Sequence, residues 1–266
     1  MRNENLQNKR NTNKGNKPSG WFGVVLWVRL YNADCFDVMA DLPDKSVDAV
    51  ITDPPYGTTD LKWDTPFDLD KWWSEINRVC TGSAVVFADQ PFSSQLVVAN
   101  IKNFRYEWLW DRGRVSTALH AKRRPLKTTE DILVFSKKTP IYNIDHILIP
   151  ATKTTPIIRK KYRHATGVVE ENTGGTYTPK FTNYPFETLH HKPLRAKSRH
   201  DDKHPTQKPV DLMEHLVSIH SNEGDVVFDP FMGWGTTGVA CKNLGRDFIG
   251  VEQNEHHYNK AGERLA

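Results

Sequence analysis

A strand, a glycine-rich turn, a helix and a second strand follow one another near the C-terminal end of this 266-residue chain. The apolar run 225–229 leads into the glycine-rich stretch 230–238, and a second apolar run, 247–251, ends at Glu252. This order predicts a parallel β-α-β unit, and therefore a sheet covered by helices rather than an all-helical or all-strand fold. In such a unit, backbone N–H groups at the start of the helix can approach a ligand closely.

The glycine-rich stretch narrows the class of ligand. No G-x-x-x-x-G-K-[ST] sequence is present, which excludes a P-loop, and the full dinucleotide fingerprint G-x-G-x-x-G is also missing. A lone G-x-G is equally compatible with an ordinary tight turn. However, Glu252 follows the glycines by about 20 residues, where an acidic side chain at the tip of the next strand can accept hydrogen bonds from ribose hydroxyls.

The tetrapeptide Asp53-Pro54-Pro55-Tyr56 stands at the end of another apolar run, 47–52. Two consecutive prolines fix two φ angles and remove two backbone donors, which makes a stiff ledge with exposed carbonyls. A carboxylate at one end and an aromatic ring at the other could bind a planar amine and stack the ring that carries it. Taken alone, the same sequence also suits a strand-terminating turn with a surface tyrosine.

Four segments in a consistent order resemble the permuted, beta-class DNA amino-methyltransferases of the DPPY type, the N6-adenine/N4-cytosine family. The DPPY box comes first, residues 204–210 resemble the HPTQKP box, and residues 229–238 resemble the cofactor loop. Residues 30–35 resemble the first strand of the family. The similarity covers roughly Val28 to Leu265 and is specific because the four boxes occur together.

The resemblance implies an α/β fold, a doubly wound Rossmann-like sheet of an S-adenosylmethionine-dependent methyltransferase in permuted order. The expected boundaries are a disordered N-terminal lead (1–27), a catalytic half (28–138), a basic target-recognition insertion (139–203) and a cofactor-binding half (204–266). Within them, the amphipathic segment 67–80 is expected to be a helix whose Trp72 and Trp73 belong to the core.

Site residues follow from the same resemblance. It implies that Asp53, Pro54, Pro55 and Tyr56 are catalytic, and that S-adenosylmethionine is bound by a further set. Within that set Thr206 and Lys208 hold the carboxylate, Glu252 the ribose and Asp34 the adenine amine. The remaining members line the methionine and ribose side or the adjoining turn: Asp229, Phe231, Gly233, Gly235 and Thr236.

Trp234 departs from the family pattern, because relatives usually have a small residue at this place. The loop is expected to turn the indole outward or over the cofactor.

The implied reaction is site-specific methylation of DNA at the N6 amine of adenine. Asp53 and the Pro54 carbonyl would accept both amine hydrogens, and Tyr56 would stack on a base extruded from the duplex. Asp rather than Ser at position 53 favours adenine N6 over cytosine N4, which remains the alternative. A catalytically impaired DNA-binding relative, given Trp234, and a methyltransferase for protein amide nitrogen are also open, although Asp53 argues against the latter.

Positive charge is concentrated in the middle of the chain. Residues 112–164 contain thirteen lysines and arginines against three acidic residues, a local net charge of +10 in a chain of net charge +4. This excess comes in bursts interleaved with aromatic residues, a texture that suits contacts to phosphates and bases as well as a solvated face. The predicted DNA-binding residues form two of these bursts. The first basic burst is Lys122, Arg123 and Arg124, and the second is Arg159, Lys160 and Lys161.

Composition bounds the remaining expectations. No apolar run reaches the ~18 residues of a membrane span, and three cysteines without a CxxC pair fit a reducing cytoplasm without structural zinc. The expected cofactor is S-adenosylmethionine, and no metal is expected. Double-stranded DNA is the expected partner, while a cognate restriction endonuclease and the choice between monomer and homodimer stay open.

Overall fold

The computed structural model describes residues 28–58, 64–115, 121–150, 157–158, 176–177, 180–193 and 207–266. The predicted N-terminal lead, Thr206 and the second basic burst, Arg159 to Lys161, lie outside these residues.

Twelve strands and six helices occupy the described residues. The strands are β1 (Val28–Tyr31), β2 (Ala49–Thr52), β3 (Ser83–Ala88), β4 (Phe104–Asp111), β5 (Thr129–Ser136), β6 (Ile149–Pro150), β7 (Ile157–Ile158), β8 (Thr176–Tyr177), β9 (Phe181–Thr182), β10 (Thr188–Leu189), β11 (Val226–Asp229) and β12 (Asp247–Val251). The helices are α1 (Cys35–Asp41), α2 (Leu69–Val79), α3 (Phe92–Ala99), α4 (Val210–His220), α5 (Thr236–Leu244) and α6 (Glu255–Leu265). Within the described ranges, no helix is long and apolar enough to cross a membrane.

Eight strands form one sheet in the order β1-β12-β11-β2-β3-β5-β4-β10. The first five are mutually parallel, β5 runs antiparallel to both of its neighbours, and β10 is parallel to β4. Two further pairs, β6 with β9 and β7 with β8, lie outside this sheet. The sheet is therefore the mixed, mostly parallel type that needs helices on both faces.

Three helices cover each face of the sheet. On one face, α1, α2 and α3 pack their apolar side chains against β2 and β3, and Trp72 and Trp73 are 0% and 3% exposed. On the other face, α4, α5 and α6 contribute Leu216, Cys241 and Leu265 to a second core. The expectation that both tryptophans belong to the core is confirmed.

The chain reverses its direction of travel across the sheet between β11 and β2. From β11 it passes through α5 to β12 on one side, and from β2 it passes through α2 to β3 on the other. The two strands are parallel neighbours, with Val227 opposite Ala49 and Phe228 opposite Val50. The carboxyl ends of such strands diverge into loops and leave a crevice, which is where open α/β sheets bind ligands.

Sequence periodicity placed β2, α2, β11 and β12 within two residues of their observed ends. It missed α6 entirely, and it assigned no strand to residues 139–203. In the structure β10, which belongs to that segment, pairs with β4 and becomes the edge of the main sheet. A two-residue strand has too few residues to show alternation, so only its pairing reveals it.

A close approach between α5 and β12 provides a test of this packing. A Cβ on Gly238 would lie 2.7 Å from a ring carbon of Phe248 and 2.9 Å from Leu265 Cδ1, whereas nothing lies within 4 Å of a Cβ on Gly262. We expect Gly238→Ala to lower the free energy of unfolding by roughly 1–3 kcal/mol through overpacking. We expect the control Gly262→Ala to leave it unchanged or raise it by up to about 1 kcal/mol. Urea denaturation at equal m-value measures both, and equal effects of the two substitutions would contradict the packing described here.

Candidate active site

The tetrapeptide Asp53-Pro54-Pro55-Tyr56 directly follows β2, on the edge of the sheet where the crevice opens. A carboxylate outside the tetrapeptide holds this turn in place. Asp64, only 6% exposed, accepts hydrogen bonds from the backbone N–H groups of Tyr56 (2.6 Å), Gly57 (2.7 Å) and Thr58 (2.9 Å). The two prolines cannot donate, so these are the first N–H groups after Asp53, and Asp64 binds all three.

The side chain of Asp53 belongs to a cluster of four polar groups. Lys208 Nζ lies 2.6 Å from Asp53 Oδ2 and 2.8 Å from Glu130 Oε1. The Tyr56 hydroxyl lies 2.7 Å from Asp53 Oδ1 and 2.9 Å from Glu130 Oε1. The three segments that meet here follow β2, begin β5 and precede α4, so the cluster links segments up to 155 residues apart in the chain.

Charge balance in this cluster fixes the protonation of its members. Burial raises the pKa of Asp53, although the Lys208 ammonium opposes that rise. Burial acts the same way on Glu130, but Lys208 and Arg112 outweigh it and hold the pKa of Glu130 below its ordinary value. The pKa of Lys208 is raised by both carboxylates despite its burial. Lys208 is therefore an ammonium ion at neutral pH, and Glu130 a carboxylate.

An aromatic wall runs from the tetrapeptide towards the glycine-rich turn. Phe92 stacks on Tyr56 with ring centroids 5.4 Å apart and an interplanar angle of 23°. Phe67 contacts Phe92 at 6.2 Å and Phe231 at 5.3 Å. Phe92 covers one side of the Tyr56 ring, so that ring is held in a fixed orientation.

The glycine-rich turn after β11 uses a backbone conformation that favours glycine. Gly233 and Gly235 have φ angles of +51° and +70°, and Gly235 caps the start of α5. Glu252, at the end of β12, accepts a hydrogen bond from the Gly233 N–H at 3.1 Å. Asp34 is exposed at the end of β1, where it caps α1 by accepting from the Phe36 N–H. Glu252 therefore contacts the turn directly, and Asp34 follows the adjacent strand β1.

Asp229 lies beneath this turn and is 3% exposed. Its carboxylate accepts hydrogen bonds from the hydroxyls of Thr52 and Thr237, both at 2.6 Å, and from the Phe231 N–H at 3.1 Å. Burial raises its pKa to about 6. Asp229 thus joins the ends of β11 and β2 to the start of α5, a structural role that the sequence did not indicate, and its contact with a cofactor stays a prediction.

The indole of Trp234 is not turned outward, and the alternative, that it covers the cofactor, stays a prediction. Trp234 is 9% exposed and lies against His256 and His257, with ring centroids 6.3 and 6.4 Å apart. Arg264 of α6 donates to the Trp234 carbonyl at 2.5 Å and to the Thr236 hydroxyl at 3.3 Å. The bulky residue is therefore accommodated by α6, the helix that the sequence did not predict.

The first basic burst lies on the same edge of the sheet as Asp53. Lys122, Arg123 and Arg124 are exposed in the connection from β4 to β5, beyond the carboxyl end of β4. Arg112 differs from them, because its guanidinium donates to the carbonyls of Thr128 and Thr129 and lies 3.7 Å from Glu130. Arg112 is thus structural, although it adds to the local positive charge.

Glu130, Asp64 and Phe92 were not predicted from the sequence as members of the site. Glu130 carried a signal, since an acidic pair opening the otherwise apolar strand β5 implies a buried carboxylate that requires a partner. For Asp64 and Phe92, no pattern in a single sequence indicates that they belong to the site. Tyr56 was predicted only to stack on the base, whereas its hydroxyl also contacts both Asp53 and Glu130.

Thiol and metal chemistry find no support among the described residues. Burial raises the pKa of the Cys35 thiol to about 12 and that of Cys80 to about 11, so neither is a thiolate at neutral pH. Across the described part of the chain, no group of three or more His, Cys, Asp or Glu side chains is arranged to hold a metal ion. His200 and His204 lie outside that part.

Comparisons of the sequence with known proteins identify the family. A family model for DNA methylases of the N6/N4 type matches residues 47–263. The type II methyltransferase M.HpaI of Haemophilus parainfluenzae is 30% identical over 89% of this chain and 74% of its own length. The type II methyltransferase M1.MboII of Moraxella bovis is 30% identical over 88% of this chain and 94% of its own length.

Solved structures give the same picture. The M1.HpyAVI–SAM complex superposes with a TM-score of 0.58 at 29% identity and covers 90% of this chain and 100% of its own. The cytosine-N4-specific PvuII DNA methyltransferase, at 16% identity and a TM-score of 0.63, shares the fold. The expected Rossmann-like methyltransferase fold is confirmed.

The family match covers most of the chain, and two relatives share 30% identity over most of their own lengths. This chain therefore belongs to the N6/N4 family of DNA methylases.

Proposed function

We propose that this DNA methylase transfers a methyl group from S-adenosylmethionine to the N6 amine of adenine in double-stranded DNA. The observation that carries the proposal is the position of Asp53. Its carboxylate stands at the carboxyl end of β2, next to the glycine-rich turn after β11, where the sheet changes direction. A target amine at Asp53 and a methyl donor at the turn would then lie side by side.

The residues around the turn fit the proposed cofactor. Glu252 offers a carboxylate for the ribose hydroxyls, Asp34 an exposed carboxylate for the adenine amine, and Phe231 a ring face between the turn and the aromatic wall. The solved M1.HpyAVI relative was determined with SAM. When bound, S-adenosylmethionine supplies a methyl group activated by a sulfonium.

Asp53 prepares the acceptor amine. The lone pair of an exocyclic amine is conjugated into its ring, which makes the nitrogen a poor nucleophile. The carboxylate of Asp53 and the carbonyl of Pro54 accept the two N–H hydrogens, favour a tetrahedral nitrogen and stabilise the positive charge that develops on it. Tyr56 stacks on the extruded base while Phe92 and Glu130 fix the orientation of its ring and hydroxyl.

Adenine and cytosine both present an exocyclic amine with two hydrogens. The aspartate at position 53 favours adenine, and N4 methylation of cytosine is the alternative. Mass spectrometry of the nucleosides from methylated DNA distinguishes methylation of adenine N6 from methylation of cytosine N4. We expect N6-methyladenine after incubation of duplex DNA with protein and S-adenosylmethionine. N4-methylcytosine would establish the alternative, and the absence of both products, with DNA bound, would indicate the catalytically impaired relative.

Substitution of Asp53 tests the predicted catalytic role. We expect Asp53→Ala to abolish methyl transfer while S-adenosylmethionine binding persists, because the carboxylate acts on the amine rather than on the cofactor. The control is Asp41→Ala, which removes an exposed carboxylate at the end of α1, outside the cluster. This variant should keep wild-type turnover. Turnover is measured with labelled S-adenosylmethionine and cofactor affinity by calorimetry. An Asp53→Ala protein with near-normal turnover would refute the assignment.

Asp64 should matter through the turn it holds. Asp64→Ala leaves three backbone N–H groups without their acceptor, so we expect Tyr56 to lose its fixed position and turnover to fall by about tenfold or more. The control Asp68→Ala removes a carboxylate that caps α2 by accepting from the Lys71 N–H. It should cost about 1 kcal/mol of stability and leave turnover unchanged. Equal turnover of the two variants would show that the turn does not depend on Asp64.

The first basic burst should contact phosphates. We expect simultaneous replacement of Lys122, Arg123 and Arg124 by alanine to weaken binding to all DNA sequences. The slope of log affinity against log salt concentration should fall by roughly 0.9 for each lost contact. The control replaces Lys102 and Lys138, which are exposed beside the start of β4 and the end of β5, on the opposite edge of the sheet. A triple variant with the wild-type slope would mean that the burst is only a solvated face.

A further inference from the structure

Glu130 stands out as a buried carboxylate whose contact with Lys208 has no part in the proposed reaction so far. Its side chain is 7% exposed, and it lies in β5, between β3 and β4 in the sheet. Its Oε1 contacts both Lys208 Nζ (2.8 Å) and the Tyr56 hydroxyl (2.9 Å), and its Oε2 lies 3.7 Å from Arg112. A buried charge with this many polar partners on one oxygen is held in a single position.

Asp53 competes with Glu130 for the same two donors. Lys208 and the Tyr56 hydroxyl also contact Asp53, at 2.6 and 2.7 Å, so each Asp53 oxygen already accepts a hydrogen bond. Asp53 lies in the turn after β2 with its side chain 29% exposed, whereas Glu130 is fixed within a strand. Donors that stay on Asp53 would weaken it as an acceptor for the target amine, because they draw electron density from the same oxygens.

We propose that Glu130 is a positioning residue for methyl transfer, which holds Lys208 and the Tyr56 hydroxyl so that Asp53 can turn to the target amine. This inference rests on the proposed function. When Asp53 binds the amine, Lys208 keeps a carboxylate partner in Glu130, and the Tyr56 hydroxyl keeps an acceptor. Neither donor then becomes a buried unsatisfied group, which would cost free energy at the moment of reaction.

Charge supports this division of roles. Two cations, Lys208 and Arg112, accompany two carboxylates, Asp53 and Glu130. If Glu130 lost its charge, Lys208 would have Asp53 as its one carboxylate contact among the described residues, and the pairing would persist against the amine. The second consequence concerns protonation, since the negative charge of Glu130 raises the pKa of Asp53 while Lys208 lowers it. Within the described ranges, the groups that face Asp53 are Lys208, Glu130 and Tyr56, with Asp229 close enough to interact electrostatically.

Glu130→Gln tests the proposal, with Glu107→Gln as the matched control on the exposed side of β4. We expect Glu130→Gln to lower kcat by about tenfold or more, with dissociation constants for S-adenosylmethionine and DNA close to those of the wild type. Loss of the Glu130 charge lowers the pKa of Asp53, so the acid limb of the kcat–pH profile should move to lower pH while the plateau falls. Glu107→Gln should change neither.

Three results would overturn the proposal. Wild-type kcat in Glu130→Gln shows that Asp53 does not need the second carboxylate. A lowered kcat with an unmoved acid limb shows a structural role only. If Glu130→Gln fails to fold, Glu130→Asp keeps the charge and withdraws it by one methylene. Glu130→Asp should lower kcat while cofactor binding stays intact and the acid limb of the kcat–pH profile does not move. Wild-type kcat in Glu130→Asp would again overturn the proposal. A wild-type protein that methylates no base in DNA would instead refute the proposed function itself.

Discussion

A buried hydrogen bond from the Thr52 hydroxyl to Asp229 joins the two strands at which the sheet changes direction. The same carboxylate accepts from Thr237 and from the Phe231 N–H, so it fixes the end of β2, the end of β11 and the first turn of α5 together. The segments that carry Asp53 and the glycine-rich turn are therefore positioned relative to this point. Asp53 is the next residue after Thr52, and the glycine-rich turn begins directly after Asp229.

The polar cluster around Lys208 is a second constraint, because it brings distant segments into contact. Lys208 lies 155 residues from Asp53 in the chain and yet shares its ammonium between Asp53 and Glu130. Burial would favour the neutral amine, but the two carboxylates reverse that preference. A site of this kind cannot form until the sheet has assembled, since each of its charges would be costly to bury without its partners.

Local chemistry accounts for what could be predicted. The box Asp53 to Tyr56 could be recognised from the sequence, because two prolines after a β-rich run end a strand and leave its carbonyls exposed. Likewise, Gly233 and Gly235 stand where the backbone takes positive φ angles, which only glycine adopts without strain. The bounds of α4 are also set locally, since Pro209 precedes its first turn and apolar residues recur at helical spacing.

The features of the site that could not be predicted depend on contacts between residues far apart in the chain. The resemblance assigned Lys208 to a cofactor carboxylate, but its contacts with Asp53 and Glu130 depend on where β5 and the segment before α4 meet. The burial of Trp234 against α6 and the hold of Asp64 on the tetrapeptide are similar cases, because each depends on a neighbour that no spacing rule reveals. The sequence alone determined the fold class, the family boxes and the order of the longer strands and their turns, which depend on local backbone preference and apolar periodicity. Only the tertiary structure decided which charges share the site with Asp53, because electrostatic pairing depends on distance in space and not on distance along the chain.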